Sequence, residues 1–278
     1  MTGKNVVVIL LVLGITFTLF NCDTGGGGNI SIDSKVSNSA QFGEITVTVL
    51  EDGRRLDSDK TDDGGNFNLR FRSNTGFVSL RFESDSFDAE RPNLRVTDDS
   101  TILFDFTLQQ NPTLITINSW QVLQDPLFLR NESELVFNEK LADIAIDADG
   151  GDCLIGTGSS VITFRVKSIT IINCREGVRV QGTASVILEA DEDITVSSNR
   201  DAVISFDDTF VRIGETSDPV DNSVLIQSAN LNGINAAGNS VVEIDPQNNQ
   251  CSISGGRRAV NVSGNASVDT DGCTLSDG

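Results

Sequence analysis

Short apolar runs recur at one spacing between Ser160 and Phe206. Ser160-Val161-Ile162-Thr163 is answered by Ser185-Val186-Ile187-Leu188, Ser168-Ile169-Thr170-Ile171 by Asp193-Ile194-Thr195-Val196, and Val178 by Val203, each 25 residues on. Runs of four or five residues rich in Val, Ile and Thr read as strands. Three such runs per unit, repeated, predict a chain that circles and stacks on itself, a parallel β-helix. The first column continues through Val161, Val186, Val211, Val242 and Val268. The second passes through Ile169, Ile194, Val224, Cys251 and Cys273, the third through Val178, Val203, Ile234 and Val260. One upstream coil is expected to hold Val136, Ile146 and Cys153. Each column takes one long step over the same stretch, which places an inserted loop at Gly214 to Asp221. Insertions in a solenoid gather on one face and often bind.

Before the coils the pattern changes. Ile45 to Val49, Phe67 to Phe71, Phe77 to Phe82 and Ile102 to Leu108 alternate apolar with polar residues, and Glu51-Asp52-Gly53 and Asp62-Asp63-Gly64-Gly65-Asn66 separate them with turn chemistry. Residues 30–110 are therefore expected to form a small antiparallel β-sandwich, and 111–278, after Asn111-Pro112, the parallel β-helix of five or six coils. The fold class is all-β. The lone Trp120 is expected as a lid on the first coil rather than as a ligand platform.

Two resemblances follow from these stretches. Gly43-Glu44-Ile45-Thr46-Val47-Thr48-Val49, Thr61 to Leu69 and Val78-Ser79-Leu80-Arg81-Phe82 resemble the carboxypeptidase-regulatory-like domain, which implies a transthyretin-like sandwich, usually a non-catalytic module of surface proteins. Residues 113–278 resemble the right-handed β-helix of pectate-lyase-like and surface-adhesin proteins, in period and in corner residues.

The N-terminus reads as an export signal, residues 1–21. Lys4 precedes an apolar run from Val6 to Phe20, the length of a signal core rather than of a membrane span. Leu19-Phe20-Asn21-Cys22 resembles a bacterial lipoprotein box, which implies Cys22 as the lipid acceptor. The other two readings are ordinary signal cleavage and an uncleaved anchor. Residues 22–29, rich in glycine, form a flexible tether.

Charge and composition narrow the chemistry. The chain of 278 residues has 20 Lys and Arg against 40 Asp and Glu, net −20. Such a chain is repelled by nucleic acid phosphates and by anionic membrane surfaces. There is no His, which excludes a Ser-His-Asp triad and a His-ligated zinc site. Cys251 and Cys273 occupy the same slot of successive coils and are expected to form a disulfide, as are Cys153 and Cys174. Cys22 aside, four cysteines remain, and an even count in an exported chain fits an oxidising compartment. Asp147, Asp149 and Asp152 lie on a glycine-rich turn, first a solvated corner and second a Ca2+ site. Asp191-Glu192-Asp193 and Asp207-Asp208 are further corner acids, which could serve glycoside hydrolysis, with Arg175, Arg179, Arg200 and Arg212 near enough in sequence to face acids. The chain stops at Gly278 after the second strand of a coil without a polar cap, which predicts a fragment of a longer protein or an end covered by a partner.

The expectation is a lipid-anchored protein of the cell envelope or outer surface, non-catalytic, displaying a β-helix for adhesion or glycan contact. The rival readings are a polysaccharide lyase or hydrolase using corner carboxylates, and a structural spacer. No cofactor is expected beyond Ca2+. Expected partners are the membrane, through the lipid, and a polysaccharide or cell-surface molecule, but no nucleic acid.

Overall fold

The computed structural model describes residues 28–98, 100–123, 126–214, 222–246 and 250–278. The signal, Cys22 and the tether as far as residue 27 lie outside them, as does the insertion from residue 215 to 221. Among the described residues there is no α-helix, and one 3-10 turn at Ser39–Gln41.

Seven strands come first: β1 (Ile30–Val36), β2 (Thr46–Glu51), β3 (Arg54–Lys60), β4 (Asn66–Phe71), β5 (Phe77–Ser84), β6 (Phe87–Arg95) and β7 (Thr101–Gln109). One antiparallel sheet runs β3-β2-β5-β6, and β4-β1-β7 belongs to a second sheet. Alternation turns Val47, Val49, Leu80 and Phe82 from the first sheet, and Ile32, Leu69 and Phe106 from the second, into one interior. Phe82 sets its edge against Phe106 at 4.9 Å and against Phe67 at 6.2 Å, so aromatic rings bridge the two layers. The free edge of β4 is not left bare: the amides of Asn68 and Arg70 donate to the carboxylates of Asp59 and Asp57 on β3.

β8 (Leu114–Leu123) pairs antiparallel with β7 and parallel with β10. The expected junction at Asn111-Pro112 is thus a hairpin, with a cis peptide bond, inside a sheet that runs unbroken from sandwich to coils. The coils are built by β9 (Leu127–Leu129), β10 (Glu134–Asp147), β11 (Leu154–Gly156), β12 (Val161–Cys174), β13 (Val178–Val180), β14 (Ser185–Ala190), β15 (Asp193–Ser198) and β16 (Val203–Ser205). They continue with β17 (Phe210–Gly214), β18 (Ser223–Ser228), β19 (Asn232–Ala236), β20 (Val241–Asp245), β21 (Cys251–Gly255), β22 (Arg258–Val262), β23 (Ser267–Asp269) and β24 (Cys273–Asp277). The short strands β9, β11, β13, β16, β19 and β22 form a separate six-stranded parallel sheet, one strand from each of six coils. No coil alone buries its apolar column, but stacking at about 4.8 Å joins the columns into one core.

The second and third columns pair as the spacing predicts, Ile169 to Ile194 to Val224 to Cys251 to Cys273 and Val178 to Val203 to Ile234 to Val260. The first column slips by one at its start: Val186 lies on Ile162, not on Val161. The reason is facing. A step of 24 puts Ile162, Phe164 and Val166 against Val186, Leu188 and Ala190, all inside, whereas a step of 25 would lay Phe164 on Glu189. The chain regains its missing residue at the Asp191-Glu192 corner. In the upstream coil Ile146 does stand beside Ile171, but Val136 pairs with Thr163 and is 54% exposed, its inward neighbour Leu135 taking the core position. Leu154, not Cys153, lies beside Val178.

Trp120 is interior to the seam rather than a lid on it. Phe104 of β7 and Phe137 of β10, from the strands on either side, stack against it at 6.4 and 5.2 Å.

Candidate functional site

Two polar arrays stand out on the coils, and both arise because side chains at one slot of successive coils are neighbours. The first is a charged ladder at the corner leading into β11, β13 and β16. Asp152, Glu176 and Asp201 each lie two residues before the paired positions Leu154, Val178 and Val203. Each is buried, at 9%, 6% and 5% exposure, and a column of like charges so closely spaced needs compensation. Arginines supply it. Arg175 grips both oxygens of Asp152 in a fork, through Nε at 2.8 Å and Nη2 at 2.7 Å. Arg179 and Arg200 take one oxygen each of Glu176, at 3.4 and 3.5 Å. Asp201 is held without an arginine: the amide and side chain of Asn232 donate to one oxygen and Asn235 to the other. The pairing raises the Arg175 guanidinium above its ordinary value, chiefly through the hydrogen bonds to Asp152.

The second array is a hydroxyl and amide face. Thr170, Thr195, Leu225, Ser252 and Thr274 stack as one outward row. Ser197, Gln227, Ser254 and Ser276 form the next, with Gln227 donating to Ser197 at 3.0 Å. At the edge of this face runs a shallow groove of about 420 Å³ lined by Asp149, Asn173, Ser197 and Asn199 together with Gly150, Cys174, Ser198 and Ala229. Its walls are short and polar, without an aromatic ring.

Both expected disulfides are present. Cys251 and Cys273 are direct partners on β21 and β24, with Cα atoms 4.4 Å apart. Cys153 and Cys174 bridge neighbouring coils across a corner at 5.5 Å. The three acids expected together at the glycine-rich turn are not a set. Asp152 turns into the Arg175 fork, while Asp147 accepts from Asn173 at 2.8 Å and from the Asp149 amide. Among the described residues no group of three or more acidic, thiol or imidazole side chains is placed to hold a metal ion. At that turn Arg175 takes both oxygens of Asp152, which sets it apart from Asp147 and Asp149.

The other corner acids are also engaged. Asp193 accepts from Ser223, Asp208 from Asn239 at 2.7 Å and Asp207 from the Gly182 amide at 3.3 Å. Glu192 faces Lys167 at 3.6 Å, and Arg212 pairs with Glu243 at 3.4 Å. Asp191 alone keeps one buried oxygen without a donor among the described residues. A carboxylate that works as general acid or nucleophile needs a raised or freely presented oxygen. Here most are locked to the next coil. The ladder of Asp152, Glu176 and Asp201 was missed as a unit because attention to the apolar columns hides it. The same step applied to charges, Arg175 to Arg200 and Asp152 to Glu176 to Asp201, carries the signal.

Comparison with protein-family models, with curated proteins and with solved structures finds no match to this chain.

Proposed function

We propose that the protein is a non-catalytic scaffold of the cell envelope, held there by a lipid on Cys22, whose coils make contact with a polysaccharide. The single observation that carries this reading is the hydroxyl and amide face with its groove, which runs over successive coils with Leu225 interrupting one row. Sugars present hydroxyls at a regular repeat, and rows of Ser, Thr, Asn and Gln on a stacked lattice meet them with donors and acceptors in series. Two disulfides agree with an exported protein in an oxidising compartment. The four-stranded sheet β3-β2-β5-β6 agrees with a transthyretin-like module of the carboxypeptidase-regulatory kind, and the coils with the pectate-lyase-like and adhesin architecture.

The test is a screen of the full chain against neutral and acidic polysaccharides, with and without Ca2+. Binding without product release is expected, and Ser197→Trp, which fills the groove, is expected to abolish it. Release of shortened sugar, lost in Asp191→Asn, would replace this reading with the enzymatic one. No binding to any glycan would leave a spacer. Mass spectrometry of the mature N-terminus decides the anchor: an unmodified Cys22 removes it.

A further inference from the structure

The groove is not the only concavity. A second one, of about 210 Å³, opens at the seam where β6 of the sandwich meets β8 and the start of β10. Its walls combine three features. Leu94, Phe104, Trp120, Leu135 and Phe137 make an apolar floor. Arg91 and Arg95 stand around it. Two N–H donors of wall residues, Trp120 Nε1 and Arg95 Nε, are buried without an acceptor among the described residues.

The arginines differ. Arg91 is ion-paired with Glu139. Arg95 is packed over the Phe77 ring at 5.0 Å and gives its terminal nitrogens to the carbonyls of Gly76 and Phe128 at 3.2 and 3.1 Å. Burial lowers its pKa, and the charge of Asp98 acts the other way. A half-buried cation with neutral acceptors on one side and a buried orphan donor on the other is an incomplete anion site. Orphan donors are uncommon in folded proteins, and two in one wall point to a missing acceptor.

We propose that the seam pocket binds a compact, ring-bearing monocarboxylate. Size sets the first limit: a cavity of about 150 Å³ takes a benzene ring, so this one takes a ring and a carboxylate. Charge sets the second. The net charge of −20 opposes polyanions, while one negative charge beside Arg95 is compensated locally. Shape sets the third. The Trp120 indole is already engaged with Phe104, Phe137 and Phe164, so its free feature towards a ligand is the unpaired Nε1 rather than an open face for a sugar. The proposal uses different residues from the glycan groove and stands apart from it.

The molecule carries its own probe. Trp120 is the only Trp and there is no Tyr, so protein fluorescence reads this pocket alone. Benzoate titrated into the full chain is expected to change Trp120 emission saturably, with Kd between about 10 µM and 1 mM for a ligand of this size. Benzyl alcohol, the neutral counterpart, is expected to bind at least about 10-fold more weakly. Arg95→Met is expected to lose that preference. Because Arg95 also holds two backbone carbonyls, Val136→Phe serves as the second variant: it narrows the mouth from an exposed position and is expected to block benzoate in calorimetry while the melting curve stays unchanged. No saturable response to benzoate, an equal response to benzyl alcohol, or undiminished binding by folded Val136→Phe would each overturn the proposal.

Discussion

The sandwich buries Phe67, Phe71, Phe82, Phe87, Phe104 and Phe106, whereas after Phe164 the buried apolar residues of the coils include no aromatic ring among the described residues. The rings of the sandwich meet edge to face across layers, so each fits one place only. The coils hold Val, Ile, Leu and Ala in columns where each residue has a near-equivalent above and below. A repeating core tolerates small change because its packing is redundant, while a core of single interlocked rings does not. The sharpest test is a pair of substitutions. Phe82→Ala is expected to cost about 4 kcal/mol and Ile226→Val about 1 kcal/mol in urea unfolding. Equal costs would remove the contrast.

The halves are also fastened differently. The coils carry both disulfides, and the Cys251–Cys273 bridge ties the last described strands across a sequence separation of 22 residues. Its reduction is expected to cost roughly 3 kcal/mol. Hydrogen exchange should then rise in β21 to β24 and stay unchanged in β1 to β7. Exchange rising equally in the sandwich would mean that the two halves do not open separately.

The sandwich uses a carboxylate where the coils use sulfur. Glu51, at the end of β2, accepts from Ser73 Oγ at 2.6 Å, from the amides of Asn74 and Thr75 and from the Thr75 hydroxyl, and so holds that loop. Burial acts to raise its pKa, but the hydrogen bonds from Ser73, Thr75 and Asn74 together bring it from 4.5 down to about 2. A lowered folded pKa means stability fully present above pH 4.5 and lost as pH falls towards 2. The effect is expected to be about 2 kcal/mol once solvent access to the loop is allowed for. Glu51→Gln should therefore lower stability near neutral pH and flatten the acid limb of the pH–stability curve. A variant with the same acid limb as the parent would show that Glu51 does not hold the loop.

How much of this was legible follows from the same contrast. Periodic residues announce themselves: the columns through Ile194 and Val203 were readable because each inward position recurs. The slip at Val161 was not, since Val161 and Ile162 are both apolar and only the fate of Glu189 decides between them. In the sandwich the strands were readable by alternation, but not their order, because contacts such as Phe82 on Phe106 join positions with no common period. The charged ladder was legible in principle, at the coil step. The seam pocket was not, because Arg95, Trp120 and Phe137 come from three strands whose spacing carries no pattern.

The smallest expected effect concerns how an acidic solenoid avoids its own repulsion. Outside the arginine ladder, four acids on the coils are followed one coil on by a neutral donor, Asp143 by Ser168, Asp147 by Asn173, Asp193 by Ser223 and Asp208 by Asn239, whereas Glu243 is followed by Asp269. At about 4.8 Å between rungs two carboxylates would repel, whereas a carboxylate and an amide form a hydrogen bond. Asn239 does both jobs, donating to Asp208 at 2.7 Å and accepting from Asn265 at 3.2 Å. Asn239→Asp keeps the shape, replaces the first bond with a like-charge contact, and is expected to cost about 0.5 to 1 kcal/mol at low salt. Because the site is exposed, about 0.5 M salt should recover most of the Coulombic part. A loss that does not respond to salt would assign the cost to the missing hydrogen bond instead, and would mean that the alternation of acid and amide is there for bonding between coils rather than for charge.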